Sequence, residues 1–398
     1  MTRERWFVAT TEYAGLTAYT GGIGRHYAAL LPALAEHGVG IDLMVLPDAA
    51  PRADARAPGV RRLDVVPVPE GRSRTAALGD RARTVGDAVR RGGYDRVFLP
   101  EWAALGSALP PDAPLLTNLA TGMRLANDVS GLSLEDLPAD SRPAVRLQSR
   151  LEECQIRRSA GLVAISTAMR DRVEALYGDL PPTRVVRNCI DVRGVRAAAR
   201  NAALPAGWPP GQGPVVLFLG RSERRKGVVD AVDAYARLFR QRPDARLVLA
   251  GAGGDARFEP TRSGLMARLP EEARERVTWL GHVAGPELYA AIRAAAVAMC
   301  PSRWEGFGQV ALEVKALGTP LVATRGSGFD DFCTDGVDSL LVPPAAPAQL
   351  AVALERVLAD PVGADGRAAC AAERIDAFAP EPVAADLLAA ADDLLGPV

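Results

Sequence analysis

VVLFLGRSERRKGVVD, residues 215–230, holds five apolar residues, a basic loop bounded by glycines, and the start of a helical pattern. An apolar run of that length reads as a buried strand, and the segment after it as a helix. A strand that turns through a short loop into a helix is the repeating step of a parallel α/β fold. The step recurs along the whole chain. Before residue 200 the apolar runs are 6–10, 41–46, 63–66, 96–100, 114–119, 161–166 and 184–188. Helical patterns separate them, among them 25–38, whose Gly38 suits a C-cap, and 143–161. NAALPAGWPPGQG (201–213) then breaks the periodicity and reads as a linker. After it the runs resume at 215–220, 245–251, 276–281, 296–302, 320–324 and 339–344, and an amphipathic helix follows at 383–395. The expected architecture is α/β, with two doubly wound, Rossmann-like domains facing across a cleft. They are expected at 1–200 and 214–379, joined by the linker, with a helix at about 380–398 packing back on the first. In open α/β sheets ligands sit beyond the carboxyl ends of the strands, so the cleft is the default site.

Composition bounds the function. At 398 residues the chain is too long for one ordinary core. Hydrophobic residues make up 48% and charged residues 24%, as in soluble globular proteins. A net charge of −1 gives no global field to attract nucleic acid or anionic lipid. The apolar runs are far too short to span a membrane. Residues 1–13 lead into a strand without the apolar stretch and cleavage site of a secretory signal. The five cysteines (154, 189, 300, 333 and 370) are scattered, with no metal-binding or disulfide spacing. A cytoplasmic protein is expected. Arg142, Arg146 and Arg150 share a helix face that could meet a membrane surface, but no aromatic or leucine-rich face accompanies them, and a solvated face is favoured.

Three glycine-bearing loops carry the chemistry. In GLTAYTGGIGRH (15–26), Gly21, Gly22 and Gly24 precede a helix whose first amides could face an anion. The spacing is not that of a dinucleotide loop, and a tight turn is the alternative reading. In GRSERRKG (220–227), Arg221 and Lys226 flank a strand end beside a helix N-terminus and suit a diphosphate. A solvated basic loop fits the spacing as well. Of 47 basic residues only Lys226 and Lys315 are lysines, and a compact ammonium approaches a phosphate as a point charge. Lys315 has no such context and is expected to pair with a glutamate on its helix. In PSRWEGFGQVALEVKALG (301–318), Glu305 falls on a loop and Glu313 about two turns into a helix. Each carboxylate could grip a vicinal diol, one of a ribose and one of a hexose. Taken alone, the pair also fits a turn residue and a solvated helix residue.

In order along the chain, GGIG (21–24), VVRNCID (185–191), GRSERRKG (220–227), LAGAGG (249–254), WLGHV (279–283), PSRWEGFGQVALE (301–313) and TDGVDSLLVPP (334–344) resemble the motifs of the retaining glycosyltransferases of family 4, which have the GT-B fold. The resemblance covers essentially the whole chain and is most specific from 215 to 344. It implies that Arg221 and Lys226 hold the diphosphate and that Glu313 holds the ribose hydroxyls. Glu305, with Gly306, Phe307 and Gly308, would grip the donor sugar. Gly22, Gly24, Gly253, His282 and Leu312 are implied as further donor contacts. The co-substrates implied are a nucleotide-sugar donor and a hydroxyl-bearing acceptor, with no protein nucleophile. No Asp-x-Asp sits suitably: Asp330, Asp331 and Asp335 follow a late strand, so no metal or other cofactor is expected.

The chain departs from the family pattern in three places. Relatives carry a histidine after a first-domain strand, where LLTNLATG (115–122) offers Asn118 instead. His26 is then a tentative acceptor or sugar contact, or a helix-start residue; His37 reads as a helix-end residue. Cys189 stands for a usual glycine, and Asp331 for an acid within an altered segment after 324. The expected activity is transfer of a hexose or amino-hexose, from a UDP-sugar by preference, to an unidentified hydroxyl. Two alternatives remain: an epimerase or hydrolase of the same architecture, and a non-catalytic nucleotide-sugar-binding subunit.

Overall fold

The computed structural model describes residues 4–18, 20–49, 56–211, 213–255, 257, 259–283 and 285–398. The chain divides into two compact units: residues up to Ile190 together with Phe378–Val398, and Asp191–Ala377.

The first unit is built on a parallel sheet of seven strands. They are β1 (Glu4–Thr10), β2 (Val39–Val45), β3 (Val60–Val65), β4 (Arg96–Pro100), β5 (Leu115–Leu119), β6 (Gly161–Ala164) and β7 (Thr183–Val185), in the order β3-β2-β1-β4-β5-β6-β7. Side chains alternate across a strand, and β1 shows what that does here. Trp6 and Val8 join one core with Leu30 and Leu34 of helix Gly22–Glu36 and Val383 and Leu387 of helix Pro380–Leu395. Phe7 and Ala9 join another with Leu78 and Val85 of helix Arg74–Gly92. Helices cover both faces, so all seven residues of β2 are buried, as an inner parallel strand requires. At the edge, β3 carries Arg61 and Arg62 outward, and charge there discourages pairing with another chain.

The second unit holds six parallel strands. They are β8 (Val215–Leu219), β9 (Arg246–Ala250), β10 (Val277–Gly281), β11 (Val297–Cys300), β12 (Leu321–Thr324) and β13 (Leu340–Val342), in the order β10-β9-β8-β11-β12-β13. Val216 and Phe218 of β8 pack with Val228, Ala231 and Tyr235 of helix Val228–Phe239.

Each apolar run of the sequence contains or overlaps one of these strands. The division between units differs from the sequence expectation. Helix Val192–Arg200 was expected with the first domain, yet it belongs to the second unit. Arg196 donates to the Ala316 and Ala372 carbonyls, both at 2.9 Å, and Arg293 donates to the Ala199 carbonyl at 2.9 Å. These bonds use carbonyls that helix ends leave unsatisfied. No helix among the described residues is long and apolar enough to cross a membrane.

Candidate active site

In the second unit the strand order reverses between β8 and β11. Chain connections leave opposite sides of the sheet there, opening a crevice at the carboxyl ends of both strands. The loop after β8 carries Arg221 and Lys226, and the loop after β11 carries Ser302 and Glu305. The loops are locked together. Gly227 has φ +73°, and a Cβ added to it would lie 1.9 Å from the Pro301 carbonyl oxygen. The Arg303 amide donates to the Arg225 carbonyl at 2.8 Å. This close approach brings the Lys226 Nζ within 2.5 Å of Glu305 Oε2, which also accepts from Ser302 Oγ at 3.1 Å.

Both charged side chains face solvent in part, at 20% for Lys226 and 15% for Glu305. Burial raises the Glu305 carboxyl, but Lys226 and Arg225 outweigh it and hold the group below the usual carboxylate range. Burial lowers the Lys226 ammonium; Glu305 restores it in part, and Arg225 and Arg221 oppose it. The asymmetry has a simple origin. Glu305 has two cations beside it, whereas Lys226 has one anion and two cations. An incoming anion would relieve that excess positive charge. Arg221 is 45% exposed and pairs with Glu223 at 2.7 Å.

The other predicted donor residues of this unit are found in differing states. Helix Gln309–Ala316 begins at Gly308, whose φ is +106°. A Cβ there would lie 2.3 Å from the Phe329 ring. Glu313 is 3% exposed on that helix, and Leu312 is fully buried as a core residue. Phe307 packs its ring on Phe332 at 5.1 Å between centroids, so only its backbone can face a ligand. Gly306 is buried as well. Gly253 follows β9 and bridges to Ser222, and His282 is exposed after β10. Lys315 does not pair with a helix glutamate. It is 2% exposed, donates to the Phe332 carbonyl, and pairs with Asp338 at 3.1 Å. Asp330 and Asp335 accept from the Gly326 and Leu341 amides, at 2.7 and 2.9 Å, and so shape their own turns.

The first unit has its own switch point, between β1 and β4. Gly22 and Gly24 open helix Gly22–Glu36 as expected, but the local amides already hold an anion. Glu12 accepts from the Gly21 and Gly24 amides, both at 2.8 Å. His26 faces the interior. It is 3% exposed, its Nδ1 accepts from the Cys189 amide at 3.1 Å, and burial lowers its pKa to about 3. Cys189, buried against that ring, thereby gains a packing role. Asn118 is also interior: 2% exposed, it donates to the Val163 carbonyl at 3.3 Å within the sheet.

Two matches by family models cover most of the chain. Residues 21–189 match a glycosyl transferase 4-like domain, and 213–360 match glycosyl transferases group 1. Glycogen synthase of Mycobacterium tuberculosis is 32% identical over 389 residues, covering 89% of this chain and 86% of the relative. The chain is a glycosyltransferase of the family 4 type. D-inositol 3-phosphate glycosyltransferase of Kribbella flavida is 30% identical, covering 94% of this chain and 91% of that one. Among solved structures, sucrose-phosphate synthase from Thermosynechococcus elongatus superposes with a TM-score of 0.76 over 98% of this chain and 99% of its own, at 22% identity. An Anabaena protein, HepE, solved with UDP and glucose, gives 0.66 over 98% and 100%, at 18% identity. These likenesses support the GT-B fold of the family.

In this family 4 chain, three buried or half-buried carboxylates escape a reading of local motifs. Glu12 is one. Glu101, immediately after β4, accepts from the Ala120 and Thr121 amides at 2.6 and 2.8 Å. Glu152 accepts from the Ala103 amide at 3.1 Å and the Met123 amide at 2.5 Å. Burial raises Glu101 to about 7 and Glu152 to about 8, against the pull of those amides. Around them, Ala103, Ala104 and Thr121 hold φ of +64°, +52° and +96°. Non-glycine residues rarely adopt that region, and they cluster where the surrounding structure over-determines them. For two of them the available signal was position, Glu101 directly after β4 and Glu12 two residues after β1, beside the switch point; Glu152 lies inside helix Arg142–Arg158 and offered none. No group of three or more His, Cys, Asp or Glu among the described residues forms a metal-ligating cluster.

Proposed function

We propose that this glycosyltransferase moves a hexose or amino-hexose from a nucleoside diphosphate sugar, a UDP-sugar by preference, to a hydroxyl, with retention at the anomeric carbon. The observation that carries the reading is the Lys226–Glu305 contact at the β8/β11 switch point. It joins a cation suited to a diphosphate and a carboxylate suited to a sugar diol. The neighbour solved with UDP and glucose supports the choice of donor.

In this reading Lys226 and Arg221 bind the diphosphate, and Glu305 with the Phe307 and Gly308 amides binds the sugar hydroxyls. Glu313 takes the ribose. The acceptor oxygen forms a bond to C1 on the face from which the diphosphate departs. The electron pair of the breaking C1–O bond leaves with the diphosphate, and a phosphate oxygen takes the acceptor's proton. The protein needs no nucleophile for this sequence. Its contribution is fixed positive charge where negative charge develops, together with orientation of the acceptor against C1. The N-terminus of helix Gln309–Ala316 adds to that charge. Turnover that persists in EDTA is expected on this scheme.

The first test is a melting and calorimetry panel of UDP, GDP, ADP and dTDP on wild type and Glu313→Ala, without metal. A ligand that binds only the folded state raises the melting temperature by mass action. One nucleotide should stabilise wild type and lose its effect in the variant. No stabilisation by any of the four would sink the reading. Nucleotide release from the donor without an acceptor would favour a hydrolase.

A further inference from the structure

The Lys226–Glu305 contact joins two loops, and in the transferase reading it is the contact that has to open. A donor's diphosphate takes the ammonium and its sugar takes the carboxylate, two groups that lie 2.5 Å apart. Another link must then keep the loops in register. Most tethers of the two loops do not supply it. The Lys226 and Gly227 amides donate to the Glu223 and Arg224 carbonyls, at 3.1 and 2.9 Å, and so close their own turn. The Ser302 carbonyl accepts from Thr324 Oγ1 and the Glu305 carbonyl from the Gly328 amide, which ties the second loop to residues beyond β12.

Arg303 does cross the gap. It stands two residues before Glu305, and its amide donates to the Arg225 carbonyl at 2.8 Å. Its side chain goes further. Nε and Nη2 donate to Oδ2 and Oδ1 of Asp230, at 3.0 and 3.3 Å. Asp230 lies four residues after Lys226, in the first turn of helix Val228–Phe239. A planar fork on a carboxylate fixes orientation as well as distance, which a single-point contact cannot do.

The anchor end of this pair is firm. Asp230 is 5% exposed, although first-turn acids usually meet water. A buried charge persists only where it is paired, and among the described residues both of its oxygens bond to Arg303 alone. The helix dipole favours the carboxylate at that end. Val228, Ala231 and Tyr235 of the same helix are fixed in the core under β8. The Arg303 side chain is 42% exposed, so it reaches from a core-anchored helix out to the loop that bears Glu305.

We propose, resting on the transferase reading above, that Asp230 and Arg303 are positioning residues: their pair sets the separation between the diphosphate-binding Lys226 and the sugar-binding Glu305. Held this way, the site admits a donor by rotation of the Lys226 and Glu305 side chains, while the loops stay in place. Orientation of that kind is what a reacting site needs from the residues behind it.

The test compares UDP with UDP-glucose and UDP-N-acetylglucosamine by calorimetry on the full chain. UDP reads the diphosphate side alone, and the UDP-sugar to UDP affinity ratio reads Glu305. Arg303→Met should leave UDP affinity within about twofold of wild type and lower that ratio roughly tenfold for the UDP-sugar that wild type binds better, the scale of a lost hydrogen bond to a charged group. It should also lower the melting temperature, because Asp230 is left buried and unpaired. Adding Asp230→Asn should recover the melting temperature without restoring the ratio, which a purely structural pair would not do. In a Glu305→Gln background, Arg303→Met should change the ratio less than about twofold, since residues acting through one contact do not add. An unchanged ratio in Arg303→Met, a ratio that recovers together with the melting temperature, or full additivity with Glu305→Gln would each overturn the proposal and leave the transferase reading standing. Failure of wild type to bind UDP or either UDP-sugar would overturn that reading, and the positioning role with it.

Discussion

Replacing Lys226 by alanine separates the two jobs given to that side chain. Its Nζ lies 2.5 Å from Glu305 Oε2, a gross attraction of roughly 6–7 kcal/mol at an effective dielectric near 20. Desolvation of the two ions offsets most of that, so the pair itself contributes little net stability. Truncating one partner is a different matter, because the other stays behind. Breaking a fully buried pair costs about 3–5 kcal/mol; with the side chains 20% and 15% exposed, water compensates in part and about 1–3 kcal/mol is expected. Lys226→Ala should therefore lower the free energy of urea unfolding by that amount, and a second change, Glu305→Gln, should recover most of it. UDP affinity should behave otherwise. Loss of a charge-assisted contact to the diphosphate should weaken it about 10- to 100-fold, and Glu305→Gln should restore none of that. Turnover should fall at least ~100-fold. Calorimetry with UDP on the single and double variants reads the difference. If Lys226→Ala binds UDP within twofold of wild type, Lys226 is a structural partner of Glu305 and the diphosphate assignment is wrong.

Three further outcomes are expected. Lys315→Met removes the buried partner of Asp338, which keeps Arg374 at 2.9 Å, so stability should fall by about 2–4 kcal/mol with UDP affinity intact; a loss of UDP affinity at unchanged stability would refute a purely structural role. Burial raises Glu101 and Glu152 to about 7 and about 8, so both are neutral in the folded state where the unfolded chain ionises. Their contribution is complete below the unfolded carboxyl value near 4.5 and is lost as pH rises through about 7 to 8; melting temperature should drop from pH 5.5 to 8.5, and Glu152→Gln should flatten that drop. His26→Ala should cost about 2–4 kcal/mol, as large-to-small core changes do, while kcat/KM of the folded protein stays within about twofold. A large kinetic defect there would return His26 to the list of ligand contacts.

The strands were legible because each is a short apolar run bounded by proline, glycine or charge, and a strand buried on both faces needs nothing more. The Lys226 and Glu305 loops were legible because each lies directly after a strand, and the reversal of strand order brings exactly those two strand ends side by side. Other features left no local trace. The partners of Glu12, Glu101 and Glu152 are amides 9 to 49 residues away, and no periodicity announces a carboxylate that bonds backbone across such a gap. His26 and Asn118 carry side chains that suit a site, yet the fold turns both inward, where the Cys189 amide and the Val163 carbonyl take their hydrogen bonds. The allegiance of span 191–200 to the second unit leaves no local trace either, because it rests on arginine-to-carbonyl bonds with distant helix ends.

The first unit is discontinuous: the chain leaves it at Ile190 and returns at Phe378. A ribosome working at about 5–20 residues per second takes roughly 10–40 s to cross the intervening segment. During that interval Leu30 and Leu34 of helix Gly22–Glu36 lack the Val383 and Leu387 side chains that cover them in the finished fold. The second unit can close on itself first, since its chain is continuous. The nascent first unit waits with an apolar groove open, a natural foothold for chaperones, and truncation before Pro380 would leave that groove open permanently.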